Sequence, residues 1–576
     1  MTTPGKEEAD KAAAVAGAAA GVSAARGQTK ASGPGDKTKA AAPGRAVDYA
    51  GLRERLYQVP VAPGNYRALA IDDKRLYILD SDNGRSGTLK TLEISRRSPQ
   101  PETFAANVRE FGLSSDRKHV YYRTFSATGP GEMLIVAAGA KAPADVSKAR
   151  VKVDDWAIST NPRLEWKQMF NDAWRMHRDF LYDANMRGID WASVRTKYAP
   201  LVDRVTDRAE LNDVLGMMVG ELGALHSQIV PGDIRRATGE GVPSGLGAVL
   251  SRVADGFHVD RVYRSEPELP LERGPLARPD VGVKEGDIIT AVNGKLLSEA
   301  RDIADLLLDQ ADKQVLLHVK SPGAKPRAVI VTPVSMARHA SLRYADWEQG
   351  RAQQADAASK GKIGYLHLRA MSTSDINAFA RDFYANINKE GLIIDVRRNN
   401  GGNIDSWIIE KLLRRSWAFW SSNGNQPQSN MQNTFRGHLV VLMDELTYSD
   451  GETFAAGIKA LKLGPLVGKR SAGAGVWLSD GNNLADNGRA RVAEFGQFAA
   501  DGEWLIEGVG VSPDVEVDNL PHETFAGRDR QLEVAIELLQ KKMQEQPVKP
   551  WKPAAIPALR RDGGQREGAV RDGGQR

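Results

Sequence analysis

The spacing of apolar residues changes three times along this 576-residue chain, and that change constrains the fold more than any single motif does. From Asp48 to about Ser147, short apolar and aromatic runs such as Lys74-Arg75-Leu76-Tyr77-Ile78-Leu79 and Lys118-His119-Val120-Tyr121-Tyr122-Arg123 read as strands. Turn signals at Asp82-Asn83-Gly84 and Ser114-Ser115-Asp116 separate them, which predicts antiparallel sheet in the manner of a partial β-propeller. From Asn161 to about Leu225 the period is helical, with Leu164, Phe170 and Trp174, then Leu211, Leu215, Met218 and Leu222 at three- to four-residue steps. Short strands return from Gly245 to Pro333, at Gly245 to Leu250, Phe257 to Val262, Gly286 to Gly294 and Val315 to Val319, with a helical stretch at Ile303 to Leu308. From Lys362 to about Gln544 strands (363–368, 391–396, 438–443) alternate with helices (406–413, 452–461), the order of a layered α/β sheet. The fold class is therefore an α+β multidomain chain.

Composition narrows the chemistry. With no cysteine, disulfides, thiolate metal sites and a cysteine nucleophile are excluded, and nine histidines remain as bases. The net charge of +5 is a property of the tails: residues 1–47 carry seven basic and four acidic groups and residues 546–576 seven and three, leaving the body near −2. That removes the electrostatic case for nucleic acid. Residues 1–47 hold no Leu, Ile, Phe, Tyr or Trp and read as a disordered linker; the alanine-rich run Ala12 to Ala25 follows Glu7, Glu8 and Asp10 and lacks the Leu and Phe of a secretory core. The repeated Arg-Asp-Gly-Gly-Gln-Arg at 561 and 571 marks 546–576 as a disordered tail. No run of about 18 strongly apolar residues occurs, so no membrane partner is expected.

Four segments carry candidate chemistry. The strand 438–443 runs into Asp444-Glu445-Leu446-Thr447-Tyr448-Ser449-Asp450-Gly451-Glu452 and then a helix. Ser449 at that helix N-terminus is placed where free N–H groups favour a developing oxyanion, as at a nucleophile elbow; equally, Ser449 and Glu452 spell a capping box. The apolar strand 392–396 enters Arg397-Arg398-Asn399-Asn400-Gly401-Gly402-Asn403, a diglycine that either admits a ligand to the backbone or makes a tight turn. His226, in Gly220-Glu221-Leu222-Gly223-Ala224-Leu225-His226-Ser227 just beyond an apolar helix, is either a general base or a hydrogen-bonded structural histidine. Glu507 is either a carboxylate orienting a histidine or a surface group. No H-E-x-x-H, P-loop or complete dinucleotide motif is present, so no metal and no organic cofactor is expected.

Taken in this order, with the Gly245-Leu246-Gly247 loop and Gly286-Asp287-Ile288-Ile289-Thr290-Ala291-Val292-Asn293-Gly294 between them, these segments resemble the tricorn protease family over residues 48–540. The resemblance implies a partial β-propeller at 48–155, a helical C1 domain at 156–235, a PDZ-like domain at 240–335 and an α/β C2 catalytic domain at 336–545. It implies a serine peptidase acting on oligopeptides, with Ser449 as nucleophile, His226 as base, Glu507 as its supporting carboxylate, and the N–H groups of Gly402 and Asp450 as oxyanion hole. It further implies a cytoplasmic homo-oligomer, a hexameric ring.

The chain departs from the family at several positions. The family's serine directly before the histidine is here Leu225, so contact with the carboxylate passes through Ser227 or water, or is lost. Loss would leave a degenerate site and a PDZ-type peptide-binding scaffold, the alternative function. No Asp or Glu occurs from Lys411 to Met443, so the family's acidic determinant for basic P1 side chains has no counterpart. The Ser–Lys dyad of the related C-terminal processing proteases is disfavoured, because Ala474 stands at the lysine position and Lys469 is displaced. Family members carry two complete propellers, whereas this sequence starts in a linker within the second.

Overall fold

A computed structural model of the protein describes residues 49–555, apart from 57, 60, 82–85, 96–99, 127–129, 154–155, 233–240 and 424. The expected linker at 1–47, the turn Asp82-Asn83-Gly84 and the tail beyond 555 lie outside the described residues. The described residues fall into two compact units, one ending at Ile158 and the other beginning at Ser159.

The first unit holds β1 (Tyr66–Ile71), β2 (Arg75–Asp80), β3 (Gly87–Glu93), β4 (Glu102–Leu113), β5 (His119–Thr124) and β6 (Met133–Ala137). They form one antiparallel meander in chain order. Alternation along the strands sends Tyr77, Leu79, Leu89, Val120, Tyr122, Leu134 and Val136 to a single buried face.

The second unit opens with helices α1 (Pro162–Phe180), α2 (Trp191–Val202) and α3 (Arg208–Gly220). Each has a side-chain cap: Asn161, Asp190 and Asp207 accept from the backbone N–H of Leu164, Ser193 and Glu210. A short strand β7 (Gln228–Val230) follows. An antiparallel sheet of β8 (Ala248–Val253), β9 (Gly256–Val262), β10 (Ile288–Val292), β11 (Val315–Lys320) and β12 (Arg327–Val331), with the short helix α4 (Ile303–Leu306), closes over its own core.

The remainder is a three-layer sandwich. Strands β13 (Ile363–His367), β14 (Gly391–Asp395), β15 (His438–Met443), β16 (Leu466–Gly468) and β18 (Val515–Glu516) make a parallel sheet in that order. Strand β17 (Arg489–Arg491) lies outside it and pairs with β7. Parallel strands are buried on both faces, so they read as continuous apolar runs. Here Leu392, Ile394, Val441 and Met443 pack toward α6 (Thr373–Ala385), α7 (Asp405–Leu413) and α8 (Asp450–Ala460). The intervening Ile393, Val440 and Leu442 pack toward α5 (Met336–Ser359) and α9 (Arg530–Glu545). Residues 546–555, expected within the tail, form no helix or strand, yet Trp551 lies 4.0 Å from the Phe419 ring and carries the Arg436 guanidinium on its face. Among the described residues no helix is long and apolar enough to cross a membrane.

Candidate active site

Two β-strands deliver the site. The C-terminal ends of β14 and β15 lie side by side, Asp395 opposite Leu442, so the segments that follow them emerge at one edge of the sheet. The first continues into the diglycine and α7; the second continues through Ser449 into α8. The diglycine lets the two approach. A Cβ on Gly401 would stand 2.4 Å from Ser449 Cβ, and one on Gly402, at φ +155°, would stand 1.8 Å from the Met371 carbonyl oxygen. No other residue fits either place.

Ser449 itself has φ 55° and ψ −121°, a conformation rarely adopted by residues with a side chain. The capping box is present: Glu452 Oε2 accepts from Ser449 N at 3.0 Å. Glu452 does more than cap. It is fully buried, and its two oxygens also accept from Ser471 Oγ, Gly473 N and Ala474 N, tying residues 471–474 to the start of α8. Ser449 Oγ lies 3.0 Å from His226 Nε2, across 223 residues of sequence. The elbow and the cap therefore coexist.

His226 reaches that place through tertiary pairing. Strand β7 pairs antiparallel with β17, Ile229 opposite Ala490, and Leu222 and Ala224 share one core with Val476, Leu484, Ala490, Val492 and Ala493. The imidazole is 4% exposed and packs on Tyr448, ring centroids 4.9 Å apart. Tyr448 is held in turn by donating to Leu225 O and accepting from Gln228 Nε2, and burial pushes its hydroxyl up to about 12. Burial, reinforced by the charge of Arg491, lowers the His226 pKa to about 4. The lowered pKa keeps the imidazole neutral at pH 7, with Nε2 facing Ser449 Oγ.

Glu507 stands beside the histidine segment without hydrogen bonding to the ring. Oε1 accepts from Leu225 N at 3.3 Å, and Oε2 accepts from Gly475 N and Val476 N at 2.9 and 3.0 Å. Burial raises its pKa against these three bonds and the Arg187 charge. His226 Nδ1 is buried with no partner among the described residues. Among the described residues Ser227 makes no hydrogen bond to the His226 ring or to Glu507; its Oγ accepts from Ala493 N at 3.4 Å. Lys469 is paired with Glu516 at 2.9 Å, and Ala474 is fully buried. Among the described residues the backbone N–H groups of Gly402 and Asp450 have no hydrogen-bond acceptor.

The structure brings into this one region all five residues that the family resemblance implied, and adds Tyr448, Gln228, Arg491 and the anchoring role of Glu452, which the sequence reading missed. Only Glu452 had a local signal, its S-x-x-E spacing, and that signal spoke of capping alone.

Residues 162–220 match the model of the tricorn protease C1 domain, 244–336 that of the tricorn protease PDZ domain, and 362–517 that of peptidase family S41. The chain is 34% identical over 528 residues to tricorn protease homolog 1 of Streptomyces coelicolor, covering 88% of this chain and 48% of that protein. It is 32% identical over 518 residues to a putative tricorn-like protease C-terminal subunit of Sulfurisphaera tokodaii, covering 87% and 58%. The crystal structure of the tricorn protease superposes with a TM-score of 0.76 at 24% identity, over 84% of this chain and 47% of that one, a likeness of fold. The chain thus spans about half the length of the relatives it matches. With the tricorn C1, tricorn PDZ and S41 models matched in succession along it, the chain belongs to the tricorn protease family.

Proposed function

We propose that this chain is a serine peptidase that cleaves oligopeptides through an acyl-enzyme on Ser449. The observation that carries the reading is the 3.0 Å approach of His226 Nε2 to Ser449 Oγ, with Ser449 held at the N-terminus of α8 beside the diglycine. Ser449 Oγ attacks the peptide carbonyl and passes its proton to His226 Nε2. The N–H groups of Gly402 and Asp450 receive the oxyanion, aided by the positive end of α8. His226 then gives the proton to the leaving amine, and water releases the acyl group by the same steps in reverse. Glu507 acts at one remove, fixing the backbone of Leu225 rather than the imidazole.

Oligopeptide substrates, a homo-oligomeric ring, a cytoplasmic location and the reading of β1–β6 as a propeller remnant rest on the family resemblance and belong to the same proposal. The unpartnered Nδ1 of His226 favours a second reading, a peptide-binding scaffold with a weakened hydrolytic site.

Labelling with a fluorophosphonate probe separates the two. The peptidase reading expects wild type to label and both Ser449→Ala and His226→Ala to abolish labelling. A folded wild type that does not label but binds peptides by their C-termini establishes the scaffold instead.

A further inference from the structure

The two segments that carry the proposed oxyanion donors, the diglycine loop and the start of α8, are joined by a pair of acidic side chains that the mechanism above does not use. Asp450 is fully buried, and its Oδ2 accepts from Ile404 N at 2.7 Å and Asp405 N at 3.1 Å, the first backbone N–H groups of α7. These lie two and three residues beyond Gly402. The Asp450 side chain thus fixes the loop bearing one donor to the residue whose own N–H is the other. Its second oxygen, Oδ1, is buried with no donor to serve it. The Asp405 carboxyl lies within hydrogen-bond reach of the Asp450 side chain, and Asp405 is itself 8% exposed. Two carboxyls so close and so buried repel one another when both are charged, and one proton between them would turn that repulsion into an O–H···O⁻ bond.

We propose that Asp405 and Asp450 share one proton and act as positioning residues, clamping the diglycine loop to the start of α8 so that both oxyanion donors converge. This rests on the serine peptidase reading. The charged neighbours are few: Asp405 faces Asp450 from α7, the diglycine loop presents the neutral Asn399 beside Gly451, Glu452 of α8 is turned to residues 471–474, and His226 stands across Ser449. Loss of the shared proton places a second negative charge beside the N–H groups that must receive the oxyanion, so turnover falls in its absence. Burial and the Asp405 charge lift the Asp450 pKa to about 7. The pH profile therefore has a descending limb near neutrality.

The test compares wild type with Asp450→Ala, Asp450→Asn and Asp405→Asn by fluorophosphonate labelling rate from pH 4 to 9, with melting temperature over the same range. Asp450→Ala removes the clamp and is expected to slow labelling about 10²- to 10³-fold, the scale of losing one oxyanion donor. The two asparagine variants keep a hydrogen bond across the pair, stay within about tenfold of wild type and lose the descending limb. Labelling of Asp450→Ala at the wild-type rate, or a descending limb that persists in Asp405→Asn, overturns the proposal. The melting curves keep its failure distinct from failure of the peptidase reading. A carboxyl whose folded pKa is raised contributes less stability as pH climbs from its unfolded value toward the folded one. Asp405→Asn should therefore gain in melting temperature on wild type between pH 4 and 7 and hold level above. If wild type does not label, the peptidase reading falls, and a melting difference that is flat with pH refutes the shared proton as well.

Discussion

Restoring a hydroxyl directly before the histidine should strengthen the base. Leu225 is 43% exposed, so Leu225→Ser leaves no buried cavity, and the backbone N–H at 225 already lies 3.3 Å from Glu507 Oε1. A serine there can donate to Glu507 and accept from His226 Nδ1–H, the ring nitrogen now without a partner. Hydrogen bonds to charged groups contribute about 1.5–3 kcal/mol. Applied to the imidazolium that forms as Ser449 gives up its proton, this corresponds to a roughly 10- to 150-fold faster acylation. The sign follows from the same bond: stabilising the charged ring raises its pKa, so the acid limb of the profile moves up from about 4 toward 6.5. Rates of fluorophosphonate labelling from pH 3.5 to 9, with circular dichroism at each pH to establish folding, measure both quantities. A folded Leu225→Ser variant whose plateau rate and acid limb match wild type refutes the reasoning, because Nδ1 would then not limit the base.

Further predictions follow from the packing. Gly402→Ala drives a methyl to 1.8 Å from Met371 O and should cut labelling by about 10²- to 10³-fold while melting cooperatively. Arg397, 3% exposed, joins the buried Asp395 and Asp529 carboxylates at 2.6 and 2.8 Å, and its charge holds the Asp395 pKa below the usual range despite burial. Arg397→Leu should cost about 3–5 kcal/mol in urea unfolding; a loss below 1 kcal/mol contradicts that account. Because a depressed carboxyl pKa contributes stability that is lost as pH falls, wild type should lose stability below about pH 4 more steeply than Asp395→Asn. Lys469→Ala, which breaks only surface pairs with Glu516 and Asp518, should leave the labelling rate unchanged; abolition would reinstate Ser–Lys chemistry.

How much of this was legible in the sequence depended on the range of the interaction concerned. Strands β14 and β15 were plain because a parallel strand buried on both faces is an uninterrupted apolar run, and 392–396 and 438–443 are such runs. Helix α5 was not, since its inward residues include Asp346, paired with Arg261 and Arg264, and Ser359, which accepts from Ile363 N; polar groups satisfied inside a fold erase the apolar period. The approach of His226 to Ser449 depends on β7 pairing with β17 and on a core assembled from residues more than 200 positions apart, so no local pattern contained it. Family resemblance supplied that pairing, and it also implied a carboxylate supporting the histidine. The position of Glu507 shows why the implication holds only in part. Its three backbone bonds tie Leu225 to Gly475 and Val476, and those bonds depend on main-chain N–H groups that survive any substitution at 225 except proline. A change of side chain at 225 therefore keeps the architecture around the histidine while removing the bond that would stabilise its charged form. A fold-level likeness persists through such a change, and the pH profile is where the difference becomes measurable.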